Sequence, residues 1–208
     1  MRKLESKSSL AIVISQLENF KNGEIELEQY STPSEIAAEM LWSAALEGNV
    51  IGKTVLDAAC GPGFLGLGAL LLGARKVLFV DISKDALGIC RRNYNKLKRG
   101  YEIGEAVFLN ESIENFNEKV DVVLQNPPFG TKKKHADKMF LEKAFTLAPV
   151  VYSLHKITSK SFIQALSKDH GFGVGAMKEI DLGLKQTMKY HKKKRHYIKC
   201  GIWKLVKE

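Results

Sequence analysis

The feature that most constrains this chain is one junction between short segments. Thr54-Val55-Leu56 reads as a short buried strand. Asp57-Ala58-Ala59-Cys60-Gly61-Pro62-Gly63 follows, then an apolar helical stretch from Phe64 to Leu72. A strand that passes through a glycine turn into a helix is the first unit of a doubly wound α/β sheet. Glycines let the backbone approach a ligand closely, and a helix start offers free N–H groups.

The rest of the chain extends that unit. Alternation predicts strands at 54–58, 76–82, 105–110, 120–126 and 149–154, with helices at 63–73, 84–98, 137–147 and 159–169. Two β-rich segments, 172–181 and 197–206, flank a basic stretch and read as an edge hairpin. Ahead of the core, Ser8 to Phe20 shows a helical period. Thr32-Pro33-Ser34-Glu35 reads as a second helix start, with Thr32 as cap and Pro33 in the first turn. The expected fold is a Rossmann-like, doubly wound, mostly parallel seven-stranded α/β sheet. A C-terminal antiparallel edge hairpin and N-terminal helices complete it, as one domain over 1–208.

In open α/β sheets ligands sit beyond the carboxyl ends of the strands. Asp57, Asp81, Asn110 with Glu111, and Asn126 all fall at such ends. An acid closing the second strand is placed to bind two ribose hydroxyls. Gly61, Gly63 and Gly66 match the dinucleotide pattern by letter, so a nicotinamide cofactor is one reading. Asp57 opposes it, because a carboxylate there repels a pyrophosphate and suits an amine. S-adenosylmethionine carries an ammonium, a sulfonium and a ribose, and no phosphate. Asp57 and Asp81 together favour that cofactor, with Ala59, Cys60, Gly61, Pro62, Gly63 and Phe64 around the first tip and Ile82 beside the second.

Asn126-Pro127-Pro128-Phe129 marks the fourth tip. Proline cannot donate to a ladder, so the strand ends there. An amide oxygen and a backbone carbonyl can accept both hydrogens of an exocyclic amine, and the aromatic ring can stack on the heterocycle that carries it. Read without its surroundings, Pro-Pro after a strand is ordinary loop punctuation. Beside a cofactor turn it reads as a site for an amino group on a flat base. Asn126, Pro127, Pro128 and Phe129 are therefore the expected catalytic residues.

Charge points to the same class of partner. Lys and Arg number 32 against 23 Asp and Glu, a formal charge of +9, which favours nucleic acid over a membrane surface. Two runs concentrate it: Lys132-Lys133-Lys134-His135, just after the fourth tip, and Lys192-Lys193-Lys194-Arg195. Either run can be a solvated face; beside a base pocket, phosphate contact is the favoured reading. No apolar run reaches spanning length, and the polar first segment, Met1 to Ser9, predicts no secretory leader. Cys60, Cys90 and Cys200 are far apart and lack a C-x-x-C, so neither disulfides nor a metal site is expected, and the setting reads as cytoplasmic. His155, near a strand end, can reach substrate or serve structure.

The turn from Asp57 to Gly63, Asp81 and Asn126-to-Phe129 resemble class I methyltransferases that modify exocyclic amines. Further segments are similar to the methyltransferase-like protein 5 family and its archaeal relatives: Leu27-Glu28-Gln29-Tyr30 with Thr32, Asn126 through Lys132, Val151-Tyr152-Ser153-Leu154-His155-Lys156, and the His191-to-Lys194 run. The similarity spans about Leu4 to Val206. It implies an S-adenosylmethionine-dependent N6-adenine methyltransferase acting on small-subunit ribosomal RNA. It also implies that residues 1–48, through Gln29, Tyr30 and Thr32, cover the cofactor held by a catalytic core at 49–208, and that a small zinc-binding activator assists the eukaryotic members. Two positions depart from the family. Ala59 replaces its first turn glycine, tolerable if the backbone there has ordinary dihedrals. Its acid after the third strand matches either Asn110 or Glu111. Rival readings are another amine acceptor (guanine N2, cytosine N4, DNA adenine or protein glutamine) and a silent RNA-binding scaffold.

Overall fold

The computed structural model describes residues 4–20, 32–128, 136–184 and 196–208. Within them the elements run α1 (Lys7–Ser15), α2 (Ser34–Leu46), β1 (Thr54–Ala58), α3 (Phe64–Leu71), β2 (Lys76–Asp81), α4 (Lys84–Lys98) and β3 (Glu105–Asn110). They continue with β4 (Val122–Gln125), α5 (Ala136–Leu147), β5 (Val150–Lys156), α6 (Lys160–Asp169), β6 (Phe172–Leu184) and β7 (His196–Lys207).

The seven strands form one sheet in the order β3-β2-β1-β4-β5-β7-β6. The first five are parallel, and β7 pairs antiparallel with both β5 and β6. This is the expected architecture. The strand order reverses between β1 and β4, which places the ligand crevice beyond Ala58 and Gln125.

Central strands buried on both faces must be apolar on both. All five residues of β1 are buried. Alternate residues feed two cores: Val55, Val77, Phe79 and Leu124 pack with Leu41, Leu67 and Leu70, while Leu56, Leu78, Val80 and Val123 pack with Leu141 and Ile163. Each fully buried side chain of this size contributes roughly 1.5–3 kcal/mol. Asp121, which interrupts the apolar run before β4, clamps that strand to β1: its Oδ2 accepts from Thr54 N at 2.7 Å, and its own N–H donates to Thr54 O.

The N-terminal helices differ from expectation in detail. α1 begins at a Ser6/Ser9 capping box and stops at Ser15, short of Phe20. The chain then turns, so that Leu17 stays buried while Glu18 reaches α4. α2 begins at Ser34 with Pro33 as N-cap and no side-chain cap bond, so Thr32 is not the cap. Its hydroxyl is used elsewhere.

Candidate active site

The glycine turn folds back over the ends of β1 and β2. Cys60 N donates to Val80 O at 3.1 Å, and Gly63 N donates to Cys60 O at 2.8 Å. Gly61 and Gly63 take φ of +53° and +86°. Gly63 has no room for a side chain, since a Cβ there would stand 2.3 Å from Cys90 Sγ. Ala59 corrects an expectation: its φ is +54°, in the left-handed region where a Cβ crowds the following carbonyl. The methyl is carried at a position whose backbone favours glycine.

Two carboxylates flank the turn. Asp57, 1% exposed, accepts from Gly66 N on its Oδ2 at 2.7 Å. Burial pushes its carboxyl well above the usual range; the Gly66 bond opposes that shift, and the negative charge of Asp81 adds to it. A Cβ on Gly66 would stand 2.4 Å from Phe79 Cε1, so α3 lies against the sheet only because residue 66 is glycine. Asp81 accepts from Gly61 N at 2.8 Å on Oδ2 and from Ser83 N at 2.8 Å on Oδ1. Burial raises its carboxyl too, offset in part by these bonds. Ile82, next along the chain, is 60% exposed. Asn110 donates through Nδ2 to the carbonyls of Asp81 and Ile82, tying the tip of β3 to that of β2, with Glu111 next along the chain.

Asn126 stands past the end of β4. Its Nδ2 donates to Thr32 Oγ1 at 2.9 Å, which sets the carboxamide plane and makes Oδ1 its acceptor end. Pro127 is buried and Pro128 half-buried. Behind the tip, Gln125 Nε2 donates to Ser153 Oγ at 3.0 Å, and that hydroxyl lies 2.6 Å from His155 Nε2. His155 is buried, and burial pushes it down to about 3, which favours the neutral imidazole.

One pocket is lined by Thr32, Asp57, Ala59, Cys60, Gly61, Pro62, Phe64, Leu65 and Asn126. The fold thus brings the turn, the first acid and the fourth tip together, with Asp81 bonded to the turn from behind. Gln29, Tyr30, Phe129, Lys132, Lys133, Lys134, His135, Lys192, Lys193, Lys194 and Arg195 lie outside the described residues. Sequence reading missed Gln125 and Asn93, both buried polar side chains adjoining the site. Asn93 carried a signal: Ala86, Cys90, Asn93 and Leu97 share one helical stripe, on which a polar residue must find partners inside.

Residues 33–155 match the model of the Methyltransferase small domain family. The Drosophila melanogaster protein named rRNA N(6)-adenosine-methyltransferase Mettl5 is 33% identical over 208 residues, covering 98% of this chain and 95% of the relative. The chain belongs to the methyltransferase-like protein 5 family. An uncharacterised protein of Methanocaldococcus jannaschii is 29% identical, covering 97% of this chain and 94% of its own. A crystal structure from Pyrococcus horikoshii, described as a candidate RNA methyltransferase, superposes with a TM-score of 0.87 at 38% identity, covering 98% of this chain and 99% of that one. Methyltransferase-like protein 5 membership makes the chain an S-adenosylmethionine-dependent methyltransferase. Its residues fit that cofactor: a buried carboxylate, Asp57, and a half-buried one, Asp81, stand at neighbouring strand tips beside a glycine turn, a set suited to an ammonium and a ribose diol.

Proposed function

We propose that this chain methylates the N6 amine of an unpaired adenine in small-subunit ribosomal RNA, and that Asn126 presents the amine. The observation that carries this reading is the Asn126 carboxamide, held by Thr32 in the pocket that also contains Asp57 and the glycine turn. Relatives named rRNA N(6)-adenosine-methyltransferases in fly, zebrafish and nematode support the acceptor. The charge of +9 agrees with an RNA partner.

S-adenosylmethionine, when bound, supplies an electrophilic methyl group on its sulfonium. On this reading Asp57 holds the ammonium, Asp81 the ribose hydroxyls, and the turn from Ala59 to Phe64 the methionine part. Ile82, Asn110 and Glu111 border the adenine end, and Gln29 and Tyr30 contribute with Thr32 from the N-terminal side. The substrate amine donates to Asn126 Oδ1 and the Pro127 carbonyl. Its lone pair is ordinarily delocalised into the ring, and these two acceptors favour a more tetrahedral nitrogen. Positioning is then the main catalytic contribution. Phe129 adds base stacking worth about 1–3 kcal/mol. The base enters unpaired or flipped, because a paired adenine hides this amine. Lys132 to His135 and Lys192 to Arg195 hold phosphates.

We assign residues 1–208 to one domain acting in the cytoplasm, with a small zinc-binding activator as an additional partner. Among the described residues no helix is long and apolar enough to cross a membrane.

The test uses purified protein, methyl-labelled S-adenosylmethionine and unmodified small-subunit RNA digested to nucleosides. Label in N6-methyladenosine, lost in Asn126→Ala with cofactor binding retained, is the expected result. Full activity in Asn126→Ala would remove Asn126 from the mechanism. Label in another nucleoside would change the acceptor. Activity that appears only when the activator is added would fix that requirement.

A further inference from the structure

Asn93 sits in the middle of α4 and is 1% exposed. Its carboxamide makes three hydrogen bonds, all to main-chain atoms outside its own helix. Oδ1 accepts from Glu18 N at 2.7 Å; Nδ2 donates to Glu18 O at 2.9 Å and to Pro62 O at 3.1 Å. One side chain therefore joins the segment after α1 to the turn that lines the pocket.

The bond to Pro62 acts on a particular peptide. The Pro62 carbonyl and the Gly63 N–H belong to one plane, and Gly63 N donates to Cys60 O at 2.8 Å. With Asn93 on the oxygen, that plane is fixed at both ends. Gly63 is the left-handed N-cap of α3, so the same plane sets where the helix begins. The Glu18 side has further contacts with α4. Arg92 makes two bonds of 2.9 Å to the Glu18 carboxylate, and Lys96 donates to Gln16 O at 2.6 Å. Phe20 lies over the turn, with its ring 3.5 Å from where a Gly61 Cβ would stand.

We propose that Asn93 is a positioning residue for cofactor binding, coupling the docking of Glu18–Phe20 on α4 to the conformation of the glycine turn. The proposal rests on the assignment of that turn to the cofactor. Coupling of this kind is reciprocal: if docking favours the bound form of the turn, then binding at the turn must favour docking.

The test titrates S-adenosylhomocysteine into the full chain by calorimetry, beside methyl-transfer kinetics. Asn93→Ala should weaken binding about tenfold, which is about 1.4 kcal/mol, with kcat at saturating cofactor within about threefold of wild type. Asn93→Asp keeps the acceptor for Glu18 N but turns an oxygen toward Pro62 O, and should lose at least as much. Arg92→Ala loosens the Glu18 side chain without touching Pro62, and should change affinity less than about threefold. A folded Asn93→Ala that binds within about twofold of wild type would overturn the proposal. A wild-type measurement covers variants that fail to fold: S-adenosylhomocysteine should slow hydrogen exchange at the Glu18 amide, and unchanged exchange overturns the coupling. If the amides of Gly61, Gly63 and Phe64 do not respond to S-adenosylhomocysteine, the turn assignment and the proposal fall together. If they respond while Asn93 variants bind normally, only the proposal falls.

Discussion

Replacing Ala59 with glycine should make this protein more stable, against the usual direction for alanine-to-glycine changes. Ala59 has a φ of +54° and is the sole non-glycine residue with positive φ among the described residues. A Cβ in the left-handed region costs roughly 1–2 kcal/mol. Glycine removes that strain but adds roughly 0.5–1 kcal/mol of unfolded-chain entropy. From the midpoints of the two ranges the net gain is about 0.75 kcal/mol. Gly63→Ala is the matching control. It places a Cβ at a φ of +86° and 2.3 Å from the buried Cys90 Sγ. Left-handed strain and overpacking then act together, for a loss of about 2 kcal/mol or more. Urea unfolding followed by circular dichroism reads both, as midpoint shifts at constant slope. In a domain of this length the gain for Ala59→Gly corresponds to about 1–4 °C in Tm. A neutral or destabilising Ala59→Gly, with Gly63→Ala behaving as stated, would refute the reasoning: the methyl of Ala59 would then be held by contacts worth more than its strain.

Three more outcomes follow from the site. Burial raises the Asp57 carboxyl, so the folded state holds its proton more tightly than the unfolded chain does. The stability Asp57 contributes is fully present below its unfolded value, near about pH 4, and is lost as pH rises through the folded value. Asp57→Asn should therefore gain on wild type in urea midpoint as pH rises toward neutrality while binding S-adenosylhomocysteine more weakly; a pH-independent difference would refute this. Thr32→Val removes the partner of Asn126 Nδ2 and should lower kcat about three- to tenfold with KM for S-adenosylmethionine little changed. An effect on KM alone would instead assign Thr32 to the cofactor. Neutralising Lys192, Lys193 and Lys194 together should flatten the salt dependence of RNA binding by about 2 in the log–log slope, and an unchanged slope would return the run to solvent.

The fold was legible because burial writes directly into the sequence. β1 is buried at every position, and the acids at 57 and 81 stand out because each follows an apolar run, Val55-Leu56 in β1 and Val77 to Val80 in β2. Their side chains converge because parallel strands align their carboxyl ends. What stayed hidden depends on partners distant in sequence. Thr32 matches a capping pattern with Glu35, yet Pro33 takes the cap and Thr32 turns to Asn126, 94 residues away. Gln125 resembles an ordinary polar strand end until Ser153 is known to lie beside it. Ala59 gives no local sign of a left-handed backbone, since alanine rarely adopts one; the turn around it imposes that conformation.

The position of β7 bears on how this chain is made. It lies between β5 and β6 although it follows both in sequence. During synthesis β6 therefore emerges with its partner β7 not yet translated, and β5 waits with an open edge. An unpaired edge is a template for wrong pairings. The parallel half, β3-β2-β1-β4-β5, can assemble in the meantime, but its β5 border stays unprotected until residues 196–207 arrive. The interval between the two events is the period in which a nascent chain is most exposed to aggregation, and in which a chaperone would find a strand edge to bind.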